Sequence, residues 1–292
     1  MQSGAIRPLN NMLPRNLFNT EHEAFRETVR KFYAKEVVPN IEKYEQQQHV
    51  DRELWNKAGT MGLLCATMPE AYGGSGVDRL YSMILIEEQA YAMDSSTGFS
   101  LHSDIVANYI NNFGSEAQKH YWLTRMASGE TVTAIAMTEP GTGSDLQAVR
   151  TTAVLDGDDY IINGSKIFIT NGYLCDMAIV VCKTGDSEKG SANLSLIIVE
   201  ANRAGFSKGK PLNKIGMKGQ DTCELFFDHV RVPKENLLGM EGMGFMMLMK
   251  ELAWERMLVA IICQAGAEAA LAHTVQYTKE RKAFGKTVSS FQ

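Results

Sequence analysis

A chain of 292 residues with 45% apolar and 22% charged residues can bury a substantial core, is long enough for about two domains, and reads as globular. Its formal net charge of -5, with no basic stripe, argues against nucleic acid as the main partner. The five cysteines, Cys65, Cys175, Cys182, Cys223 and Cys263, are scattered without a C-x-x-C pair, and the six histidines lack metal-ligand spacing; reduced thiols and no bound metal are expected.

No uninterrupted apolar run reaches the roughly 18 residues that span a bilayer, so no membrane span is expected. Met1 to Leu17 lacks the apolar core of a secretory signal and carries only Arg7 and Arg15 as positive charges, which disfavours a transit peptide. The expected location is the cytoplasm of a bacterium, or the mitochondrial matrix if the chain is eukaryotic.

In chain order, Thr20 with Glu23 forms a capping-box pattern, and Phe25, Val29, Phe32 and Tyr33 recur at helical spacing up to Pro39. Leu54 to Leu64 reads as short helical pieces, and PEAYGGSG, Pro69 to Gly76, as a glycine-rich loop. Asp78 to Met93 and Ser100 to Asn112 read as two apolar helices. Ser96, Thr97, Ser100, His102 and Asn108 sit among their apolar residues, either lining a pocket or as satisfied core groups. Ser115 with Gln118 caps a further helix through Tyr121, Trp122 and Met126. Everything before Thr131 is thus expected to be helical.

From Thr131 the period becomes alternating. Strands are expected at Val132 to Met137, Arg150 to Leu155, Tyr160 to Ile162, Lys166 to Ile169, Met177 to Val181, Leu194 to Val199 and Cys223 to Val232, with turns at Asp156-Gly157, Asn163-Gly164 and Gly205. This predicts an antiparallel β barrel or sandwich of about 100 residues. In its first strand, TVTAIAMTEPGTGSD, Val132, Ala134, Ala136 and Thr138 alternate with Thr131, Thr133, Ile135 and Met137, so both faces are covered. Pro140 ends the strand, and Gly141, Thr142, Gly143 and Ser144 offer backbone N–H donors and hydroxyls suited to a flat polar ligand. In NGSKIFITNG, Asn163 to Gly172, Lys166, Phe168 and Thr170 are expected on one face and Ile167 and Ile169 on the other. Either segment alone reads as an ordinary turn; as a pair they can flank one ligand.

Beyond Gly239 the helical period returns, with Phe245, Leu248, Leu252, Val259, Ile262 and Cys263 marking one face of a helix to about Glu280 and Gly266 its weak point. Glu255 and Arg256 fall where an apolar side chain is expected. On the residues alone Glu255 is either a surface carboxylate at the edge of the stripe or a deliberately buried one.

TEPGTGSD followed by KIFITNG, KELAWERMLVA and ERKAFGK resembles the acyl-CoA dehydrogenase family, most closely its long-chain branch, from about Phe18 onward. The resemblance implies an α+β fold with an N-terminal helical domain (1–130), a flavin-contacting β domain (131–239) and an incomplete C-terminal helical bundle (240–292), a C-terminally truncated chain. It implies FAD-dependent conversion of a fatty acyl-CoA to trans-2-enoyl-CoA, electron transfer to an electron-transferring flavoprotein, and a homodimer or homotetramer at full length. Glu255 becomes the catalytic base. Ile135, Ala136, Met137, Thr138, Glu139, Pro140, Gly141, Thr142, Gly143, Ser144, Phe168, Ile169 and Thr170 become FAD-binding, with Arg281 and Gln292 on the FAD of a neighbouring subunit. Ser144, Met246, Ala253, Trp254, Glu255 and Arg256 become substrate-binding. The alternatives are an oxidase or other flavoenzyme on this fold, or a non-catalytic binding protein.

Overall fold

A computed structural model of the protein describes residues 15–185 and 193–291. The stretch up to residue 14 and Gln292, for which sequence expectations were stated, lie outside the described residues. Among the described residues six α-helices come first: α1 Thr20–Phe32, α2 Ile41–Gln47, α3 Arg52–Thr60, α4 Arg79–Tyr91, α5 Ala107–Phe113 and α6 Glu116–Ala127. The cap of α1 falls one residue earlier than expected. Asn19 accepts from the His22 amide at 3.0 Å and His22 Nδ1 accepts from the Asn19 amide at 3.2 Å, leaving Thr20 and Glu23 inside the helix. Ser115 and Gln118 form the expected reciprocal pair.

Strand β1 (Thr133–Ala136) opens the sheet, followed by β2 (Thr152–Asp156), β3 (Asp159–Thr170), β4 (Met177–Lys183), β5 (Leu194–Glu200), β6 (Phe206–Lys208), β7 (Thr222–Pro233) and β8 (Leu237–Leu238). They pair in the order β6-β7-β3-β2-β4-β5-β8, with β1 on β4. The sheet is mixed and open, not antiparallel and not a closed barrel: β1 runs parallel to β4, as does the start of β2 through Thr152 and Lys183. β1 and β2 therefore share one edge of β4 end to end, and the chain leaves the sheet between them. That excursion is the glycine loop.

Alternation assigns the faces. Met177, Ile179 and Val181 of β4 join α5, α6 and the start of the last helix in one core, whereas Ala178, Val180 and Cys182 point to the opposite core with Ala134, Ala136, Ile162 and Val232. Two departures occur in β3. Asn163-Gly164 is not a turn but a bulge within one continuous strand, where Asn163 Oδ1 accepts from the His229 amide at 2.9 Å. A second irregularity between Lys166 and Ile169 separates residues expected on one face: Lys166 is buried, while Phe168, at φ +60°, is exposed.

The last helix, α7 (Gly244–Glu280), is 37 residues long, about 55 Å. Its inward face differs from the expected stripe: Met247, Leu248, Glu251, Leu258, Ala265, Ala269 and Ala272 are buried, and Val259 and Cys263 are exposed. Among the described residues it is the one helix long and apolar enough to cross a membrane by length and composition. Here its first turns pack on β5 and α5 and its later turns on α4.

Candidate active site

The glycine loop is fixed from below. Glu139 is buried and its carboxylate accepts from the Arg150 amide (2.7 Å), the Thr151 amide (2.9 Å), Thr151 Oγ1 (2.6 Å) and Lys166 Nζ (2.9 Å). Burial alone would push this carboxyl up, but those donors and the Lys166 charge outweigh it and hold the group below the usual glutamate range. Burial pulls the Lys166 ammonium down in turn; we take the pair as ionised because four donors converge on the one carboxylate. The backbones of Glu139 and Thr142 close the turn on each other, and Thr142 Oγ1 donates to Ala148 O.

This base divides the loop residues by what they can touch. The side chains of Ile135, Ala136, Glu139, Thr142 and Ile169 are buried and serve the protein's own packing, so any contact they make with a ligand is through backbone. Met137, Thr138 and Thr170 are half-buried, and Pro140, Gly141, Gly143, Ser144 and Phe168 are exposed. Open space surrounds Gly141 and Gly143, and the amides of Gly141, Gly143 and Ser144 have no acceptor among the described residues. Thr138 O accepts from the Ile167 amide at 2.9 Å, which brings the backbone next to Phe168 alongside the end of β1. An exposed aromatic in the left-handed region is costly unless the position is used. Free amides, hydroxyls and one unshielded ring are the donor set that a flavin ring with polar edges requires, so these residues fit FAD.

The second half of the site stands on α5 and α7. Ile135, Tyr109, Met247 and Leu248 belong to one apolar cluster, on which Met137, Leu101, Ile105 and Phe245 also pack, so the end of β1, α5 and the first turns of α7 adjoin. Tyr109 donates its hydroxyl to Glu255 Oε1 at 2.8 Å. One turn earlier, Asn112 Nδ2 donates to Glu251 Oε1 at 2.8 Å. Burial raises the proton affinity of Glu255 and the Glu251 charge adds to it, against the Tyr109 hydrogen bond and the Arg256 charge. Glu255 is thus half-buried rather than at the helix surface, the buried alternative of the two open on sequence. Trp254 carries the Arg79 guanidinium 4.4 Å from its ring centroid. Met246, Ala253 and Arg256 are exposed.

Arg281 does not join this group. It ends α7 about 39 Å along the helix from Glu255, exposed at the base of a small hairpin (Lys282–Ala283 with Lys286–Thr287). Of the polar residues around Ser96 to Asn108, most are satisfied inside the core. Asp94 takes Thr97, Gln89 takes the Thr97 carbonyl, and His102, pushed down to about 4 by burial, is held between Met126 O and Thr133. Ser96 Oγ is buried with no hydrogen-bond partner among the described residues. Sequence reasoning missed Tyr109, Asn112, Glu251 and Lys166. The repeat of Glu251 and Glu255 at i,i+4 within an apolar helix was the available signal for the third.

Residues 19–130 match the acyl-CoA dehydrogenase N-terminal domain, residues 134–230 its middle domain and residues 242–292 its C-terminal domain. The chain is 49% identical over 293 aligned positions to the mitochondrial long-chain specific acyl-CoA dehydrogenase of Sus scrofa, covering 100% of this chain and 68% of that protein. The crystal structure of acyl-CoA dehydrogenase from Geobacillus kaustophilus superposes with a TM-score of 0.93 at 47% identity, over 95% of this chain and 73% of that one. The structure of acyl-CoA dehydrogenase complexed with FAD from Bacillus anthracis gives 0.87 at 33% identity, over 98% and 49%. With three domain matches in order and a relative of this identity covered over two thirds of its length, the chain belongs to the acyl-CoA dehydrogenase family.

Proposed function

We propose that the protein catalyses FAD-dependent α,β-dehydrogenation of a fatty acyl-CoA thioester to the trans-2-enoyl-CoA, a step of fatty-acid β-oxidation, and passes the electrons to an electron-transferring flavoprotein. The observation that carries this is the Glu255 carboxylate, half-buried on α7, held by Tyr109 and raised in proton affinity by burial. An α-proton beside a thioester is weakly acidic, and a desolvated carboxylate with raised proton affinity is the base that removes it. Tyr109 fixes the carboxylate, and the neighbouring Trp254 is held by Arg79 of α4. FAD, when bound, supplies the acceptor for the β-hydrogen and its electron pair.

Thr138, Gly141, Gly143, Ser144, Phe168 and Thr170 would hold the ring system and its polar edges, with Ser144 also near the CoA portion. Arg281 and Gln292 would reach the FAD of a neighbouring subunit, which agrees with Arg281 lying far from Glu255 along α7. This reading divides the chain at 1–130, 131–239 and 240–292, and takes the exposed apolar side of α7, Met249, Met257, Val259 and Leu271, as surface covered in a dimer or tetramer. Its location is the cytoplasm of a bacterium or the mitochondrial matrix.

Glu255→Gln in the FAD-loaded full-length protein tests it. FAD stays bound and acyl-CoA still perturbs its spectrum, while anaerobic flavin bleaching slows by about a hundredfold or more, the scale of a lost general base. Bleaching within tenfold of wild type would move the base elsewhere.

A further inference from the structure

Two parallel rungs join α5 to α7: Tyr109 to Glu255 and, one turn away, Asn112 to Glu251. The first serves the carboxylate already described. The second holds a carboxylate that is only 5% exposed and makes no ion pair among the described residues. Burying such a charge without a cation is costly, so its retention calls for a use. Residues at i and i+4 stand about 5–6 Å apart at their Cβ atoms, within reach of direct Coulomb interaction across a partly desolvated helix face.

We propose that Glu251 is a positioning residue for the dehydrogenation: Asn112 holds its charge one turn from Glu255, and this second carboxylate sets the pH range over which Glu255 works as a base. The inference rests on the reading of Glu255 as the base. Few other charged or titratable groups bear on the pair. From α5 there is Tyr109, whose hydroxyl burial and both glutamates push far up, so it stays a neutral donor. From α7 there is the exposed Arg256, which favours the ionised form of Glu255. Arg79 of α4 is engaged on the Trp254 ring, and Lys250 lies over the Phe113 ring, 5.3 Å from its centroid. Glu251 is therefore the nearby anion opposing ionisation of Glu255, and it makes Glu255 a stronger base once ionised.

The test is the pH dependence of anaerobic flavin bleaching by a saturating straight-chain acyl-CoA in the full-length holoenzyme. Glu251→Gln keeps an oxygen for Asn112 and removes the charge. The acid limb should move down by about one pH unit and the plateau rate should fall severalfold. The same downward shift should appear without turnover in an infrared titration of 13C-glutamate-labelled enzyme, in the carboxyl band that Glu255→Gln abolishes. Asn112→Ala, which frees the Glu251 charge without deleting it, should move the limb in the same direction by less, and it supplies the answer if Glu251→Gln fails to hold flavin. A limb that stays in place while Glu255→Gln is inactive overturns the role of Glu251 and leaves the base intact; full bleaching by Glu255→Gln overturns the base itself.

Discussion

The pairing of Lys166 with Glu139 places a full ionic bond under the ligand-facing loop, with both side chains nearly sealed from solvent. Its value shows when one partner is removed. Lys166→Met should destabilise the protein by about 3–5 kcal/mol in chemical denaturation, because the Glu139 charge stays buried with its cation gone. The pH dependence follows from the Glu139 carboxyl, which the fold holds below its ordinary value. A depressed carboxyl contributes stability above its unfolded pKa, near 4, and loses it as pH falls through the lower folded value. Stability of Glu139→Gln should accordingly be lower at neutral pH and fall less between about pH 5 and 3 than that of wild type; parallel curves would place the acid sensitivity elsewhere. Alternation in sequence put Lys166 beside Phe168 and so hid this pair. The slip between Lys166 and Ile169 reverses the faces, and nothing in residue type marks an irregularity of that size within a strand.

β3 and the helices show what one element's pattern can and cannot announce. Asn163-Gly164 carries as strong a hairpin signal as Asp156-Gly157, yet β3 runs through it because β7 offers a partner on both sides of the bulge. Gly164 has φ +150°, and an added Cβ would stand 2.8 Å from the Thr151 Cα and 2.5 Å from its Oγ1. Gly164→Ala should cost about 2–3 kcal/mol, and through Thr151 it should disturb the seat of Glu139. Phe168 makes the opposite case, a bulky residue at φ +60° in a strand. Phe168→Gly relieves that backbone while adding freedom to the unfolded chain, so the apoprotein should melt within a few degrees of wild type. Flavin retained through gel filtration should nonetheless fall severalfold; unchanged retention would remove Phe168 from the FAD site. In α7 the apolar period was legible but its phase was not, since methionines and alanines occur all round the helix. Glu251 and Glu255, two carboxylates within it, face α5, and only their partners there reveal this.

At the scale of the molecule, the helix-sheet-helix order was readable from changes of period, whereas the parallel pairing of β1 with β4 was not. Parallel neighbours are joined by long connections, and here Met137 to Asp176, a stretch that includes β2 and β3, separates β1 from β4. One long-range joint exposed to a single change is the start of α7. A Cβ on Gly244 would stand 2.6 Å from Leu194 O and 2.9 Å from the Ser195 amide, so Gly244→Ala must lift α7 from β5. Glu255 lies about 16 Å further along the helix, yet its carboxylate rides on that seat. Flavin bleaching by Gly244→Ala should slow by tenfold or more with Glu255 intact, the scale of a small misplacement of a base. α7 has no proline, and its one interior glycine, Gly266, leaves the helix unbroken. A rod without a hinge, wedged at one end against the sheet and at the other against α4, leaves neither region free to open alone. Heat should therefore melt the two regions together, as one calorimetric peak, and a rise in the melting temperature earned by repacking α4 should carry over to the strands.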